Sequence, residues 1–250
     1  MDLKEIPTPC YVVDEGVLIH NLMILKKVQE KTGCKILLAL KGFAMWSLFP
    51  LIRKYLVGTA TSSVAEARLG KEEFGGELHS YAPAYSQEDM DELLPIVDHL
   101  VFNSTNQLEH FRQQVLDSER PISMGLRVNP EYSEVETEIY NPCAPCSRLG
   151  ITADLLKDAD LEGIEGLHFH TMCEQNSDTL ERTIPHFEEK FGALIPKMKW
   201  INFGGGHHIT RDDYDVDKLC KVILDFRKKW NKPVYLEPGE AIALNTGTLV

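Results

Sequence analysis

Short apolar and β-branched runs alternate with longer amphipathic stretches along most of this chain. The short runs have the length and composition of buried strands, and their alternation with helical stretches indicates βα units around a parallel sheet. Eight runs are predicted to be strands, at residues 35–40, 56–61, 78–82, 99–103, 123–128, 166–171, 200–203 and 234–237.

The stretches between these runs carry apolar residues at three- and four-residue spacing, which predicts helices packed on the sheet. The predicted helices are residues 21–30, 64–74, 105–116, 179–194 and 216–229. Pro185 lies inside one of them, so we expect that helix to kink or restart there.

Eight strands alternating with helices predict a closed (β/α)8 barrel, a TIM-type fold that takes about 250 residues. A doubly wound open sheet is the alternative arrangement. The two ends fit a plain barrel less well. Tyr11–Val13 is predicted to be an extra strand before the first helix, and residues 241–250 are too few for the usual last helix.

The composition is that of an ordinary globular protein, with 43% hydrophobic residues and a net charge of -12. That charge argues against a nucleic-acid partner, because phosphate binding needs a basic surface. The same charge would suit a cationic substrate, which it would attract electrostatically, but solubility is the simpler explanation. No apolar run approaches the roughly 20 residues that span a bilayer, and the N-terminus lacks a signal-peptide stretch. We therefore expect no membrane partner and a cytoplasmic location.

Cys143 and Cys146 form a CxxC pair, the spacing of half a structural zinc site. Such a site needs four ligands, and no second pair completes one. Free thiols are the usual state of scattered cysteines in a cytosolic chain. We expect no metal.

In a barrel the active site lies at the C-terminal ends of the strands. Lys41 follows the first predicted strand. An amine held in an apolar mouth is easier to deprotonate and more nucleophilic, so we expect Lys41 to be buried there and able to bond a carbonyl group. A lysine that merely extends into solvent is the alternative.

Gly204, Gly205 and Gly206 follow the seventh predicted strand. A turn without side chains lets backbone N–H groups approach a phosphate, and barrels often bind phosphate in this region. A merely flexible loop also uses glycine. His207 and His208, directly afterwards, are candidates to contact substrate or phosphate.

Glu237 ends an apolar run, where a carboxylate needs a partner, and a protonated pyridine nitrogen would be one. Strand alternation places His168 and His170 on one face, with Phe169 on the other. His170 is nearer the mouth and could stack on a cofactor ring. A surface or capping glutamate and a core histidine are the alternatives.

Residues 131–138 carry four glutamates, Glu131, Glu134, Glu136 and Glu138, after the fifth predicted strand. A loop at the active-site end with this charge could attract a cationic substrate. A solvated loop is the alternative.

Several short motifs occur in an order that resembles one enzyme family. They are LALK at 38–41, GTATSS at 58–63, SRLG at 147–150, FHT at 169–171, FGGG at 203–206 and EPG at 237–239. This set resembles the fold type III, alanine-racemase-like group of pyridoxal-phosphate enzymes. Within it, HFHTMCE at 168–174 and GGGHHIT at 204–210 resemble the carboxynorspermidine and carboxyspermidine decarboxylases.

The resemblance implies pyridoxal 5'-phosphate as the cofactor, held covalently by Lys41. His170 would stack on its ring, and Glu237 would pair with the ring nitrogen. Arg127 would lie close to the ring. The phosphate would be bound by the glycine run and Cys173, that is by Gly204, Gly205, Gly206 and Cys173.

The implied reaction is decarboxylation of a carboxylated polyamine to norspermidine or spermidine. Glu240 stands where related decarboxylases often have a phosphate-binding arginine, so Glu240 is expected to meet a substrate amine, with His207 beside it. A cofactor-handling barrel without a robust reaction and another amino-acid decarboxylase of this fold remain alternatives. Glu237 speaks against a racemase, because racemases of this fold tend to place arginine at the ring nitrogen.

Family members also have a C-terminal β domain, and the resemblance implies that the 250 residues lack it. Residues 1–13 would then hold a strand that belongs to that domain, and residues 14–250 would form the cofactor-binding barrel. The full-length protein is expected to be a homodimer. Whether these residues act alone is left open.

Overall fold

The computed structural model describes residue 4 and residues 6–250. Its centre is a closed barrel of eight parallel strands in sequential order, which confirms the predicted fold and excludes the open sheet. The predicted strands are all present, with ends shifted by up to three residues. The barrel strands are β2 (Lys35–Ala39), β3 (Gly58–Thr61), β4 (Glu77–Tyr81), β5 (His99–Phe102), β6 (Ser123–Arg127), β7 (Ile164–His168), β8 (Trp200–Asn202) and β9 (Val234–Leu236).

Helices surround the barrel, and the five predicted ones are found. The helices are α1 (Glu15–Thr32), α2 (Phe49–Ile52), α3 (Val64–Leu69), α4 (Gln87–Leu93), α5 (Thr105–Leu116), α6 (Ser177–Phe191), α7 (Val216–Trp230) and α8 (Glu240–Ala243). A π-helical turn, Gly70–Phe74, continues α3. Short 3-10 turns follow at Trp46–Leu48, Glu138–Tyr140, Ala153–Leu156 and Ile195–Lys197. None of the residues described forms a helix long and apolar enough to cross a membrane.

The helix α6 runs through Pro185 without interruption, so the expected restart there is wrong. Proline removes one backbone hydrogen bond from a helix interior. Burial of an apolar stripe at helical spacing compensates for that loss: the stripe consists of Leu180, Ile184, Phe187 and Phe191.

Tyr11–Val13 is a strand, as predicted, and forms β1 outside the barrel. Its partner is a strand that the sequence did not predict, β10 (Gly247–Leu249), which runs antiparallel to it. Residues 241–250 therefore contribute part of α8 and a strand in place of a long final helix.

The interior of the barrel is unusually polar. Among the described residues, the apolar cluster inside the barrel has five buried members: Leu37, Ala60, Val101, Trp200 and Tyr235. Trp200 fills the space beside Gly125 and Gly166, where an added Cβ would overlap its ring. The larger apolar core lies between the strands and the helices.

Ionisable side chains form a layer near the N-terminal ends of the strands, which we call the lower layer: Lys35, Glu77, His79, His99 and Tyr235. The Tyr235 hydroxyl donates to Glu77 across 2.9 Å, and the Lys35 ammonium pairs with the same carboxylate. The rings of His79 and His99 stack with centroids 3.9 Å apart. Residues at this end of a barrel usually contribute to stability and not to catalysis.

Candidate active site

The predicted site residues meet at the C-terminal mouth of the barrel, around two adjoining cavities. An inner cavity of about 30 Å³ is lined by Arg127 and other side chains from six strands. An outer cleft of about 240 Å³ is lined by Cys173, Gly205, Gly206, His207 and Glu240 among others. Lys41, His170 and Glu237 line both cavities. Gly204 lines neither and lies buried beneath them.

Lys41 is exposed, so the expectation that it is buried is wrong. The strand β2 ends at Ala39, and the N–H groups of Gly42 and Phe43 both donate to the Ala39 carbonyl. This tight turn carries Lys41 over the mouth of the barrel. An added Cβ on Gly42 would lie 2.7 Å from Gly239 Cα, so the loops after β2 and β9 meet backbone to backbone.

Glu237 follows β9 and is held by two neighbours. Asn202 Nδ2 donates to Glu237 Oε1 across 2.7 Å, and His168 Nε2 lies 3.3 Å from Oε2. Burial opposes ionisation of this carboxyl, but the contacts with His168 and Asn202 outweigh it and hold its pKa well below the usual range. Glu237 is therefore a carboxylate that faces the cavities, with part of its oxygen surface available.

His168 contacts Glu237, a role that the sequence analysis did not assign to it. Its side chain is 2% exposed, and burial lowers its pKa. A neutral imidazole has one N–H, and the carboxylate beside Nε2 places it on that nitrogen. The alternation of the strand, which predicted that His168 and His170 share a face, is confirmed because both line the inner cavity while Phe169 packs on Phe187.

His170 is oriented by the glycine run. The Gly205 N–H donates to His170 Nδ1 across 3.0 Å. Burial, followed by repulsion from Lys41, lowers the pKa of His170 well below its usual value. The ring is thus neutral with its proton on Nε2, and a neutral flat ring at the mouth is suited to stacking on an aromatic ligand.

Arg127 lies directly behind His170. Its Nη2 donates to the His170 carbonyl across 3.1 Å, and its guanidinium carbon sits 4.7 Å from the Tyr81 ring centroid. The side chain is buried yet lines the inner cavity. Arg127 therefore supports the strand end that carries His170 and brings a fixed positive charge to the cavity.

Two of the three glycines donate backbone hydrogen bonds to side chains of the protein. Gly204 N–H donates to Asn202 Oδ1 across 2.8 Å, and Gly205 N–H donates to His170. Within the described part of the chain, Gly206 N–H has no hydrogen-bond partner. Gly206 has a φ of 82°, and an added Cβ would overlap the Met172 carbonyl. The candidate anion cradle is therefore narrower than the sequence suggested and centres on Gly206.

The rim of the outer cleft is acidic. Glu174, His208 and Glu240 present their functional atoms within 4.8 Å of one another. His208 Nε2 lies 3.3 Å from Glu240 Oε2. His207, the predicted substrate contact, is buried with Nε2 3.4 Å from the Phe203 carbonyl, and burial lowers its pKa to about 4. Of the two histidines, His208 is the one that faces Glu240.

Cys173 is exposed at the same rim. Burial of the sulfur, followed by the nearby charges of Glu174 and Glu240, raises the pKa of its thiol. The thiol is therefore protonated at neutral pH and can act as a weak hydrogen-bond donor to an anion in the cleft.

Two of the four glutamates in residues 131–138 already have a cationic partner. Glu134 receives two 2.6 Å hydrogen bonds from Arg182, which lower its pKa to about 2, and Glu131 pairs with Lys190. Only Glu136 and Glu138 remain exposed without such a partner in the part of the chain that the structure describes. Any steering of a cationic substrate by this loop depends on those two residues.

The cysteine pair takes part in none of the groups that could hold a metal among residues 6–250. Cys143 is half-buried and Cys146 is exposed. The groups of three close ligands are Glu77, His79, His99; His168, His170, Glu237; and Glu174, His208, Glu240.

The chain is similar over its full length to characterised enzymes. It is 45% identical over 250 residues to a carboxynorspermidine/carboxyspermidine decarboxylase of Campylobacter jejuni, covering 100% of this chain and 64% of that protein. It is 41% identical over 249 residues to a carboxyaminopropylagmatine decarboxylase of Synechocystis, covering 99% of this chain and 64% of that protein.

A solved structure shares the fold. The crystal structure of carboxynorspermidine decarboxylase from Campylobacter jejuni, complexed with norspermidine, matches with a TM-score of 0.90 and 43% identity over 98% of this chain and 63% of that one. No protein-family model matches the chain. The chain spans about 64% of the length of the curated relatives it matches.

Proposed function

The chain is homologous along its whole length to carboxynorspermidine/carboxyspermidine decarboxylases, and on this premise we propose that its barrel is the cofactor-binding part of a pyridoxal-phosphate-dependent decarboxylase. The substrate would be a carboxylated polyamine, and the product norspermidine or spermidine. The protein would be a carboxy-lyase in polyamine biosynthesis.

One observation carries this proposal: Glu237 is held as a carboxylate at the end of β9, in contact with Asn202 and His168. It shares both cavities with Lys41 and His170. An amine, a neutral imidazole ring and a carboxylate around one cleft are the groups that an aldehyde-bearing pyridine cofactor requires for attachment, stacking and ring protonation.

The residues present fit pyridoxal 5'-phosphate. The Gly206 N–H is unpartnered among residues 6–250, and Gly206 lines the outer cleft beside Lys41. We assign the phosphate to the glycine run, with the Gly206 N–H as its donor and Cys173 beside it. Gly205 would line the cleft, and Gly204 would shape the turn from below. The exposed Lys41 amine would hold the aldehyde carbon covalently.

Bound there, the cofactor supplies a ring that accepts the electrons released when carbon dioxide leaves. The protein would supply the groups that protonate the ring, stack on it and hold it in place. Glu237 would keep the ring nitrogen protonated, because its carboxylate is stabilised by Asn202 and His168. His170 would stack on the ring and limit the access of water to it. Arg127 holds the strand end that carries His170.

The test is an absorbance spectrum of the purified protein with pyridoxal phosphate, beside Lys41→Ala and Lys54→Ala. Lys54 is an exposed lysine away from the mouth and serves as the matched control. We expect a band near the visible edge in wild type and Lys54→Ala, removed by borohydride. Its persistence in Lys41→Ala would contradict the assignment.

The domain assignment and assembly also belong to this proposal. Residues 14–250 would be the pyridoxal-phosphate-binding barrel, and residues 1–13 would associate with a β domain. The position of β1 outside the barrel supports this division. We further propose a cytoplasmic homodimer, to be tested by light scattering on the full-length protein after size-exclusion chromatography.

A further inference from the structure

Asn202 lies where the loops after β8 and β9 meet, and its side chain connects them. It is the last residue of β8 and is fully buried, with 0% of its surface exposed. Its Oδ1 accepts the Gly204 N–H across 2.8 Å, and its Nδ2 donates to Glu237 Oε1 across 2.7 Å. The Glu237 N–H donates in turn to the Gly204 carbonyl across 2.8 Å. Three hydrogen bonds therefore form a closed cycle through Asn202, Gly204 and Glu237.

The direction of these bonds is set by the backbone. A backbone N–H can only donate, so Gly204 turns the side-chain oxygen of Asn202 towards itself and leaves the amide N–H groups for Glu237. Glu237 Oε1 must then accept, while His168 Nε2 lies 3.3 Å from Oε2. Both oxygens of Glu237 thus face N–H groups, the arrangement that suits an ionised carboxylate.

Asparagine suits both contacts better than its nearest replacements. Aspartate would accept from Gly204 but would place a second carboxyl against Glu237, and leucine would satisfy neither group. Glutamine is longer by a methylene group, at a position that is fully buried. The two loops also pack closely, because an added Cβ on Gly205 would lie 2.5 Å from the Glu237 carbonyl oxygen. The amide of Asn202 is therefore the side chain that joins the loops without leaving a polar group unpaired.

We propose that Asn202 is a positioning residue that holds Glu237 against the glycine run, so that the phosphate end and the ring-nitrogen end of the cofactor site keep a fixed spacing. Asn202 lines neither cavity and acts through Gly204 and Glu237. A rigid connection favours a ligand that carries both ends, because neither loop has to be ordered when it binds. The inference rests on the proposed function, which supplies the ligand.

The first experiment tests the connection in the protein without cofactor. Asn202→Asp is close to isosteric and places a carboxyl against Glu237. At pH 5 a shared proton can replace the lost N–H donor, whereas at pH 8 the two carboxylates repel each other. We therefore expect the loss of melting temperature relative to wild type to grow by about 5 °C from pH 5 to pH 8. A loss that is the same at both pH values would indicate altered packing alone and would overturn the connection.

The matched control is Asn106→Asp, the same change at an exposed position of α5. It should show no loss of melting temperature that grows with pH, and the same growth as in Asn202→Asp would also overturn the connection. The other charged and titratable groups around Glu237 are identical in the three proteins: Lys41, His79, Arg127, His168 and His170. A difference between the two variants therefore arises from the position of the new carboxyl.

The second experiment tests whether the two ends of the site are coupled. Pyridoxal lacks the phosphate, so the ratio of its Kd to the Kd of pyridoxal phosphate measures what the phosphate adds to binding. We expect this ratio to fall about tenfold in Asn202→Leu and to keep its wild-type value in Asn106→Leu. An unchanged ratio in Asn202→Leu would overturn the coupling. If Asn202→Leu does not fold, Asn202→Asp at pH 8 replaces it, with the same expectation.

The two proposals fail separately. If the Lys41-dependent absorbance band is absent but the loss of stability in Asn202→Asp still grows with pH, the decarboxylase proposal fails and the connection through Asn202 stands. If the band is present and that loss is independent of pH, only the inference on Asn202 fails.

Discussion

The backbone N–H of Gly205 donates to Nδ1 of His170 across 3.0 Å, linking the loop after β8 to the strand end of β7. The bond assigns the ring proton to Nε2 and fixes the plane of the imidazole. The glycine run, which the sequence suggested only as a phosphate cradle, therefore also orients the ring next to it. A change in this loop should alter both phosphate binding and the position of His170.

Gly206→Ala should destabilise the fold and weaken cofactor binding. Gly206 has a φ of 82°, and its added Cβ would overlap the Met172 carbonyl. Gly75→Ala is the matched control, because Gly75 has a φ of 74° with nothing within 4 Å. Urea unfolding should show a loss of about 1 kcal/mol for the control and about 2–4 kcal/mol for Gly206→Ala. Equal losses would mean that the loop moves to accept the methyl group.

Glu237→Gln should bind pyridoxal phosphate but lose activity. The amide oxygen would still accept from Asn202, while the charge that is proposed to keep the ring nitrogen protonated is removed. We expect kcat to fall by about 10²-fold or more with the absorbance band retained. Glu165→Gln, in the strand β7 beside Lys199 at the other end of the barrel, is the control and should leave kcat unchanged. An active Glu237→Gln enzyme would refute the assigned role.

Stability should fall with acid because of the lower layer. Burial, aided by His79, lowers the pKa of His99 to about 3 from 6.5. The unfolded chain then binds a proton that the folded protein does not, so stability present above pH 6.5 is lost as pH falls towards 3. His99→Asn should make the melting temperature less dependent on pH between 7 and 5, by the equivalent of about 1–2 kcal/mol. His20→Asn, at an exposed site on α1, should keep the wild-type dependence.

Glu77 extends the same acid response to lower pH. Although burial opposes its ionisation, hydrogen bonds from His79, Lys35 and Tyr235 lower its pKa to about 2 from 4.5. Its contribution to stability is complete above pH 4.5 and is lost as pH falls towards 2. His99→Asn should therefore still unfold below pH 4, and a variant that stays folded there would contradict this account.

Neutralising Glu136 and Glu138 should raise KM for a cationic substrate about two- to threefold at low salt and less at high salt. Neutralising Glu131 and Glu134 should do less, because Lys190 and Arg182 already balance them. The control is Glu72→Gln with Glu73→Gln, an equal charge change at an exposed turn before β4. The same KM shift in the control would indicate a net-charge effect without steering by the loop.

Most of the fold could be predicted from the sequence because it depends on local periodicity. The barrel strands and the long helices bury apolar faces that repeat at two and 3.6 residues. The strand β10 escaped prediction, because a three-residue segment gains its conformation only from pairing with β1. The four-residue helices α2 and α8 are likewise too short to show a period.

The candidate site was predictable in its residue types and less so in its roles. Lys41, His170 and Glu237 stand at strand ends, which the pattern identifies. The exposure of Lys41 depends on a turn closed by two hydrogen bonds to Ala39, which no periodicity reveals. The choice of His208 over His207 depends on which ring faces Glu240, a distinction between adjacent residues that only the three-dimensional path of the loop makes.

The position of Trp200 gives the barrel a built-in optical reporter. Its indole is 3% exposed, lies 5.0 Å from the His99 ring and donates through Nε1 to Ser123 Oγ across 2.8 Å. Charged imidazole rings quench the fluorescence of an adjacent indole. The emission of this buried indole thus reports on the charge of the His99 ring beside it, below the mouth of the barrel, without any label attached to the protein.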